Sequence, residues 1–226
     1  LIYVVLVVAM ALPLLRPLSL PMKIMPTTTQ AYDAVNALPD GSRVLMSFDY
    51  GAGSTPELDP MAVAFLRHMA KKNIKVYAVS SVAEGPMFAR SNLEKTYKVL
   101  NKVYGKDYIV LPFFAGGEAG VSALCTNLRS VYKTDVNGAP LDQFEMMKDV
   151  NKIQDFALTL TINTGPGGAG TPDAWMRQVH VTFQRKLLLG VTAIMVPTEV
   201  PLLQANQIVG LVGGLRGAAE YERLID

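Results

Sequence analysis

The sequence predicts an α/β fold: a doubly wound parallel sheet of five strands behind an N-terminal transmembrane helix. Three observations carry that expectation. From Arg43 onward, five short apolar runs alternate with amphipathic helical stretches, the pattern of strands joined by covering helices. The runs are continuously apolar, as strands buried on both faces are. Residues 1–15 (LIYVVLVVAMALPLL) carry no charge, and after Arg16 apolar residues return as far as Met22.

The N-terminal segment has three readings. A span needs roughly 20 apolar residues at a rise of about 1.5 Å each. The chain starts at Leu1 rather than Met, so residues 1–22 are expected to be a transmembrane anchor truncated at its N-terminus. A signal peptide is the second reading, with an apolar core of about 7–15 residues, and Ala9-Met10-Ala11 resembles its small-x-small cleavage site. A buried core or partner-binding helix is the third, opposed by Pro13, Pro17, Pro21 and Pro26, because repeated prolines break helices. The anchor is preferred, which makes the chain a single-pass protein of the cell membrane. Arg16 and Lys23 just past it favour a cytoplasmic domain. The upstream flank that would decide the orientation precedes Leu1, so the side of the membrane stays open.

Residues 23–42 read as a proline-rich linker with a short helix. Thr27–Leu38 has a Thr cap, with Tyr32, Val35 and Leu38 on one face, and Pro39-Asp40-Gly41-Ser42 is a turn. Residues 43–226 read as the α/β domain. Its strands are expected at 43–50 (RVLMSFDY), 75–80 (KVYAVS), 108–114 (YIVLPFF), 156–163 (FALTLTIN) and 190–196 (GVTAIMV). After the first, Asp59 is expected to cap a helix with Pro60 in its first turn. Met61, Phe65, Leu66 and Met69 form its stripe, and Lys71-Lys72-Asn73 closes it with cations at the negative end of the dipole. Ser91–Tyr104 and Glu118–Tyr132 read as the next two helices, and Thr171-Pro172-Asp173 opens another that runs to Gln184. Residues 132–155 exceed what a connection needs. They read as an excursion with a turn at Asn137-Gly138 and a helical piece near Leu141–Val150. This alternation is of the flavodoxin- or Rossmann-like kind, with right-handed crossovers placing helices on both faces.

Composition narrows the function classes. Half of the 226 residues are hydrophobic and 18% are charged, which excludes disorder. The net charge is +2, and Arg16 and Lys23 account for all of it; from Tyr32 onward 19 basic residues balance 19 acidic ones. A balanced domain without basic runs is a poor nucleic-acid binder. The single Cys125 excludes an internal disulfide and a cysteine-based zinc cluster, and reads as a small buried apolar residue. His68 and His180 stand too far apart in sequence to suggest a metal pair. No serine lies in a G-x-S-x-G elbow. Met146, Met147 and Trp175 read as ordinary core or interface residues. No catalytic motif stands out, and no cofactor or metal is called for.

Ligands of open α/β sheets bind beyond the carboxyl ends of the strands, and three loops fall there. The first holds Asp49, Gly51 and Gly53, where glycines permit a tight turn or a close backbone approach. Asp49 is a candidate metal ligand or acid/base group, with a structural cap as the preferred reading. The second holds Gly116, Gly117 and Glu118. In a flavodoxin-like order it would face Asp49, so that Asp49 and Glu118 could share one crevice for acid/base work or a cation. Alternatively, Glu118 simply favours the positive end of the next helix. The third loop spells G-x-G-x-x-G at Gly165, Gly167 and Gly170. It is discounted as a dinucleotide fingerprint because the helix starts only at Thr171-Pro172 and no acidic residue follows near position 190; it reads instead as a flexible loop or lid, with phosphate binding as the lesser alternative, and Gly165 and Gly167 remain ligand-binding candidates. Glu84 and Glu199 are further ligand-binding candidates.

The C-terminal stretch Pro201–Leu215 is apolar apart from Gln204, Asn206 and Gln207, and reads as a helix. Gly210 and Gly214, and Gly213 and Gly217, are four residues apart, a spacing that lets helices approach closely. These four are the candidate interface residues, for packing on the sheet or on another subunit. Phe48-Asp49-Tyr50-Gly51, residues 56–61 (PELDPM) and residues 213–222 (GGLRGAAEYE) resemble an uncharacterised group of prokaryotic proteins that join one N-terminal span to an α/β domain. The resemblance covers nearly the whole chain, implies the tethered architecture, and carries over no activity and no functional residue.

Taken together, these features lead to the expectation of a membrane-anchored accessory or scaffold subunit. Its partners would be the membrane and other membrane subunits or copies of itself, and not nucleic acid. The competing expectation is a small-molecule sensor or enzyme with its site at the strand ends.

Overall fold

A computed structural model of the chain describes residues 2–7, 23–165 and 171–226. Residues 2–7 are helical and exposed. Most of the expected anchor lies outside the described residues, and among them no helix is long and apolar enough to cross a membrane.

The domain is a parallel sheet of six strands in the order β3-β2-β1-β4-β5-β6, the Rossmann-like arrangement in which the order reverses between the first and fourth strands. The strands are β1 (Arg43–Asp49), β2 (Lys75–Ser80), β3 (Tyr108–Phe113), β4 (Leu158–Asn163), β5 (Leu187–Val191) and β6 (Gly210–Gly213). Five strands were expected, and the sixth comes from the glycine-rich stretch read as a helix. The fifth also sits three residues earlier than expected, because Thr192 ends it and Ala193–Met195 turns as a 3-10 helix.

Both faces of the sheet are packed. On one, Val44, Met46 and Phe48 of β1 meet α2 (Thr55–Lys71) and α8 (Gly214–Ile225). On the other, Leu45, Tyr77 and Leu189 meet α4 (Gly117–Thr126) and α6 (Pro172–Trp175). Helix α2 starts at Thr55, four residues before the expected Asp59 cap, and carries Pro60 inside it. Asp59 instead accepts hydrogen bonds from Tyr50 Oη at 2.7 Å and Asn92 Nδ2 at 2.9 Å. Helix α3 (Gly85–Leu93) runs into a π-turn at Glu94–Lys98. Helix α5 (Leu128–Val131) follows α4, and α7 (Val196–Gln204) joins β5 to β6.

The short helix expected at Thr27–Leu38 is α1 (Pro26–Asn36), whose Ala31 and Val35 are fully buried. Its own threonines do not cap it. The buried Glu220 does so from α8, accepting from Met25 N and Thr28 Oγ1 at 3.0 Å each. The excursion at 132–155 is a run of turns and short 3-10 pieces. Val136 N donates to Val110 O at 3.0 Å, so the excursion covers the β3 edge, as sheets must to avoid edge pairing.

Candidate functional site

The candidate site is built from the two central strands. β1 and β4 pair with Ser47 opposite Thr161 and Asp49 opposite Asn163. Leu158, Leu160 and Ile162 of β4 point to the first core face, which leaves Thr159, Thr161 and Asn163 on the second. A polar stripe therefore runs under the second helical layer at the point where the strand order reverses.

Asp49 is its hub. The residue is 3% exposed, and five donors converge on its carboxylate. Oδ1 accepts from Ser81 N at 2.7 Å and Ser81 Oγ at 2.8 Å. Oδ2 accepts from Ser47 Oγ at 2.6 Å, Trp175 Nε1 at 2.8 Å and Thr161 Oγ1 at 3.3 Å. Burial raises the pKa of this group, and the bonds from Ser47, Ser81 and Trp175 pull the other way. Donors on every side favour the charged form. A metal ion would have to displace them, and among the described residues no group of three or more His, Cys, Asp or Glu could hold one.

Asp49 and Glu118 do not converge. β3 lies at the edge of the sheet, so the loop after it cannot face β1 as a flavodoxin-like order would require. Glu118 is solvent-exposed at the start of α4 and clamped by Arg177, with Oε1 accepting from Nε at 2.9 Å and Oε2 from Nη2 at 2.7 Å. Gln178 Nε2 adds a bond at 3.1 Å. Arg177 and Gln178 hold the Glu118 carboxyl below its ordinary range.

The other loops are also engaged by the chain itself. Glu84 Oε2 accepts from Ala52 N at 2.9 Å and stands 3.1 Å from where a Cβ on Gly51 would lie. It therefore occupies the backbone donor that an anionic ligand in that loop would use. Gly53 faces open space. Gly116 and Gly117 take left-handed backbones, φ 105° and 57°, to start α4. Gly165 takes φ 116°, with Met195 Sδ 2.5 Å from its Cβ position. Gly167 and Gly170 lie outside the described residues.

The four interface candidates are packed within the chain rather than displayed on a helix. Asn206 takes φ 57° after α7, and the chain reverses into β6. A Cβ on Gly210 would lie 2.4 Å from Ala31 Cα, so this glycine lets α1 sit on the sheet. A Cβ on Gly213 would lie 2.1 Å from Val196 Cγ2, and one on Gly217 would lie 3.0 Å from Val212 Cγ1. Gly214, at φ 61°, makes room for Glu57 Oε1, which accepts from Ala193 N at 2.6 Å.

Glu199, in the first turn of α7, is 2% exposed, and its buried Oε2 has no hydrogen-bond partner. Burial, with a smaller contribution from Asp173, pushes its carboxyl up to about 7. Sequence reasoning missed the stripe partners Ser47, Ser81, Thr161 and Trp175. The alternation in LTLTIN was the available signal for Thr161; Ser81 and Trp175 join Asp49 only through the strand order. Comparison with known proteins finds no matching family model, no matching curated protein and no matching solved structure.

Proposed function

We propose that the domain is a non-catalytic accessory or scaffold module, held at a membrane by residues 1–22 and acting through assembly with membrane partners or copies of itself. The observation that carries this reading is the Asp49 carboxylate, whose five donors all come from its own chain. The strongest acid/base candidate at the switch point is thus committed to holding β1, β2, β4 and α6 together. The competing reading, a sensor or enzyme at the strand ends, asks Asp49 and Glu118 to meet at a ligand. Glu118 is instead neutralised by Arg177. The uncharged run at residues 1–15 and the charge balance from Tyr32 onward support the tethered form.

Fractionation of cells expressing the chain with and without residues 1–22 tests the tether. The full chain is expected in the membrane fraction after a high-salt wash, and the shortened chain in the supernatant. Gentle detergent extraction followed by sizing tests the scaffold. A species larger than the monomer is expected, and recovery as a lone monomer would overturn the reading.

A further inference from the structure

A cavity of about 410 Å³ opens on the β3 side of the sheet, between the helix that ends in the π-turn and the excursion. It is remote in the fold from the Asp49 stripe, and its volume falls in the range of small-molecule sites, roughly 300–1,000 Å³. Its body is apolar and aromatic. Val110 and Val136 line it, with the rings of Tyr104 and Tyr108, which meet edge to face at 5.4 Å. The wall is braced by a buried acid: Asp135 accepts from Tyr104 Oη at 2.6 Å and from the backbone of Asn137 and Ala139. Those bonds fix one ring and the excursion loop before any ligand arrives, which lowers the ordering cost of binding.

The rim is cationic. Arg90, Lys98 and Lys102 line the cavity with Glu94, and with Asp135 behind Tyr104 counted the site keeps a local excess of one positive charge, three cations against two acids. Arg90 is held by Glu94 and by Asn137 Oδ1 at 3.1 Å. Lys102 donates to a neutral partner, Asn73 Oδ1. Lys98 has no ion pair or side-chain hydrogen bond among the described residues, although Glu94 lies one turn away. A flat apolar body suits the tyrosine and valine walls, and an anionic head suits the two lysine ammonium groups at the mouth, neither of which is paired with an acid among the described residues.

From this pairing of an aromatic-walled cavity with unneutralised lysines, we infer that the β3-edge pocket binds a small aromatic anion. The site is independent of the tether and of the scaffold role, and it needs neither Asp49 nor Glu118. Naphthoate is a suitable probe, with the uncharged naphthamide as its control, titrated into the full chain while the valine methyl resonances are followed. Val110 and Val136 are expected to shift saturably with naphthoate at a Kd of about 1 mM, as befits a fragment-sized ligand. Naphthamide is expected to bind about fivefold more weakly, and Lys98→Glu to weaken naphthoate by about the same factor, since exposed charge pairs contribute little each. Lys98 is exposed and has no partner among the described residues, so the variant should keep the fold. Equal affinity for the amide, an unchanged Kd in Lys98→Glu, or no saturable shift at either valine would overturn the assignment.

Discussion

Two carboxylates near the carboxyl end of the sheet are equally buried and oppositely treated. Asp49, at the centre between β1 and β4, receives five donors; the buried Oε2 of Glu199, on α7 at the flank, receives none. Donors to the charged form offset part of the hydration lost on burial, and where they are missing the whole penalty falls on the ionised group. The centre of the sheet thus holds a fully bonded acid, whose pKa burial still raises, whereas the flank keeps one with an unpartnered oxygen that titrates near neutrality. The difference shows that burial alone does not mark a functional acid, because the donor count decides what the acid does.

The sharpest way to break the comparison is to remove the hub. Asp49→Ala would leave the Ser81 and Trp175 donors buried without partners, and its expected cost is about 3–5 kcal/mol, the range for breaking buried charged networks. Asp49→Asn keeps the shape but turns an N–H toward one set of donors, and should cost about 2 kcal/mol. Urea unfolding measures both. Trp175 is the only tryptophan and donates to Asp49 Oδ2, so its emission reports locally on the same bond. A Asp49→Ala chain of unchanged stability and emission would show that the stripe holds nothing together.

The next effect has the opposite sign. Glu199→Gln should stabilise the protein by up to about 3 kcal/mol above pH 7, because it removes the penalty on an ionised group without donors. The unfolded carboxyl titrates near 4.5 and the folded one near 7. Between those values the unfolded state has lost a proton that the folded state still holds, so stability falls as pH rises and levels off above about 7. Below 4.5 both states are neutral, and the variant should match the parent. A gain that is constant across pH would sink the titration argument.

The same contrast explains what was legible in the sequence. Four strands announced themselves as apolar runs flanked by turn residues, and their placement needed nothing beyond local pattern. β6 did not, because GLVG is four residues long, half glycine, and preceded by an apolar stretch that mimics a helix. The close approaches of Gly210 to Ala31 and of Gly213 to Val196 explain that composition. Asp49 was legible as a candidate but not as a hub. Apart from Ser47 on the same strand, its donors lie at positions 81, 161 and 175, which come together only once the strand order is known. The expected pairing with Glu118 failed for the same reason, since it rested on an order in which β3 neighbours β1. The Arg177 partner of Glu118 likewise sits 59 residues away in sequence.

The smallest expected effect is a near-cancellation, and it sharpens the comparison most. At the other end of α2, His68 is 4% exposed, stacked on Tyr32 at 4.6 Å and hydrogen-bonded through Nδ1 to Tyr221 Oη at 2.9 Å. Burial, with Lys72 and Lys71 nearby, lowers its pKa from 6.5 to about 4. As pH falls through 6.5 the unfolded histidine gains a proton that the folded one refuses until about 4, so this residue makes stability fall toward acid. Glu199 makes stability fall toward base from 4.5 to about 7. Between pH 4.5 and 6.5 the two slopes oppose each other with about one proton apiece, and their sum in the intact chain should be close to flat. Each variant uncovers the other residue. Glu199→Gln should become more stable as pH rises through that window, by up to about 1.4 kcal/mol per pH unit. His68→Gln should become less stable over the same range. Urea midpoints taken across the window measure both slopes. If Glu199→Gln and the parent share one slope there, Glu199 does not titrate near neutrality, and its missing donor has no consequence for the pH dependence of stability.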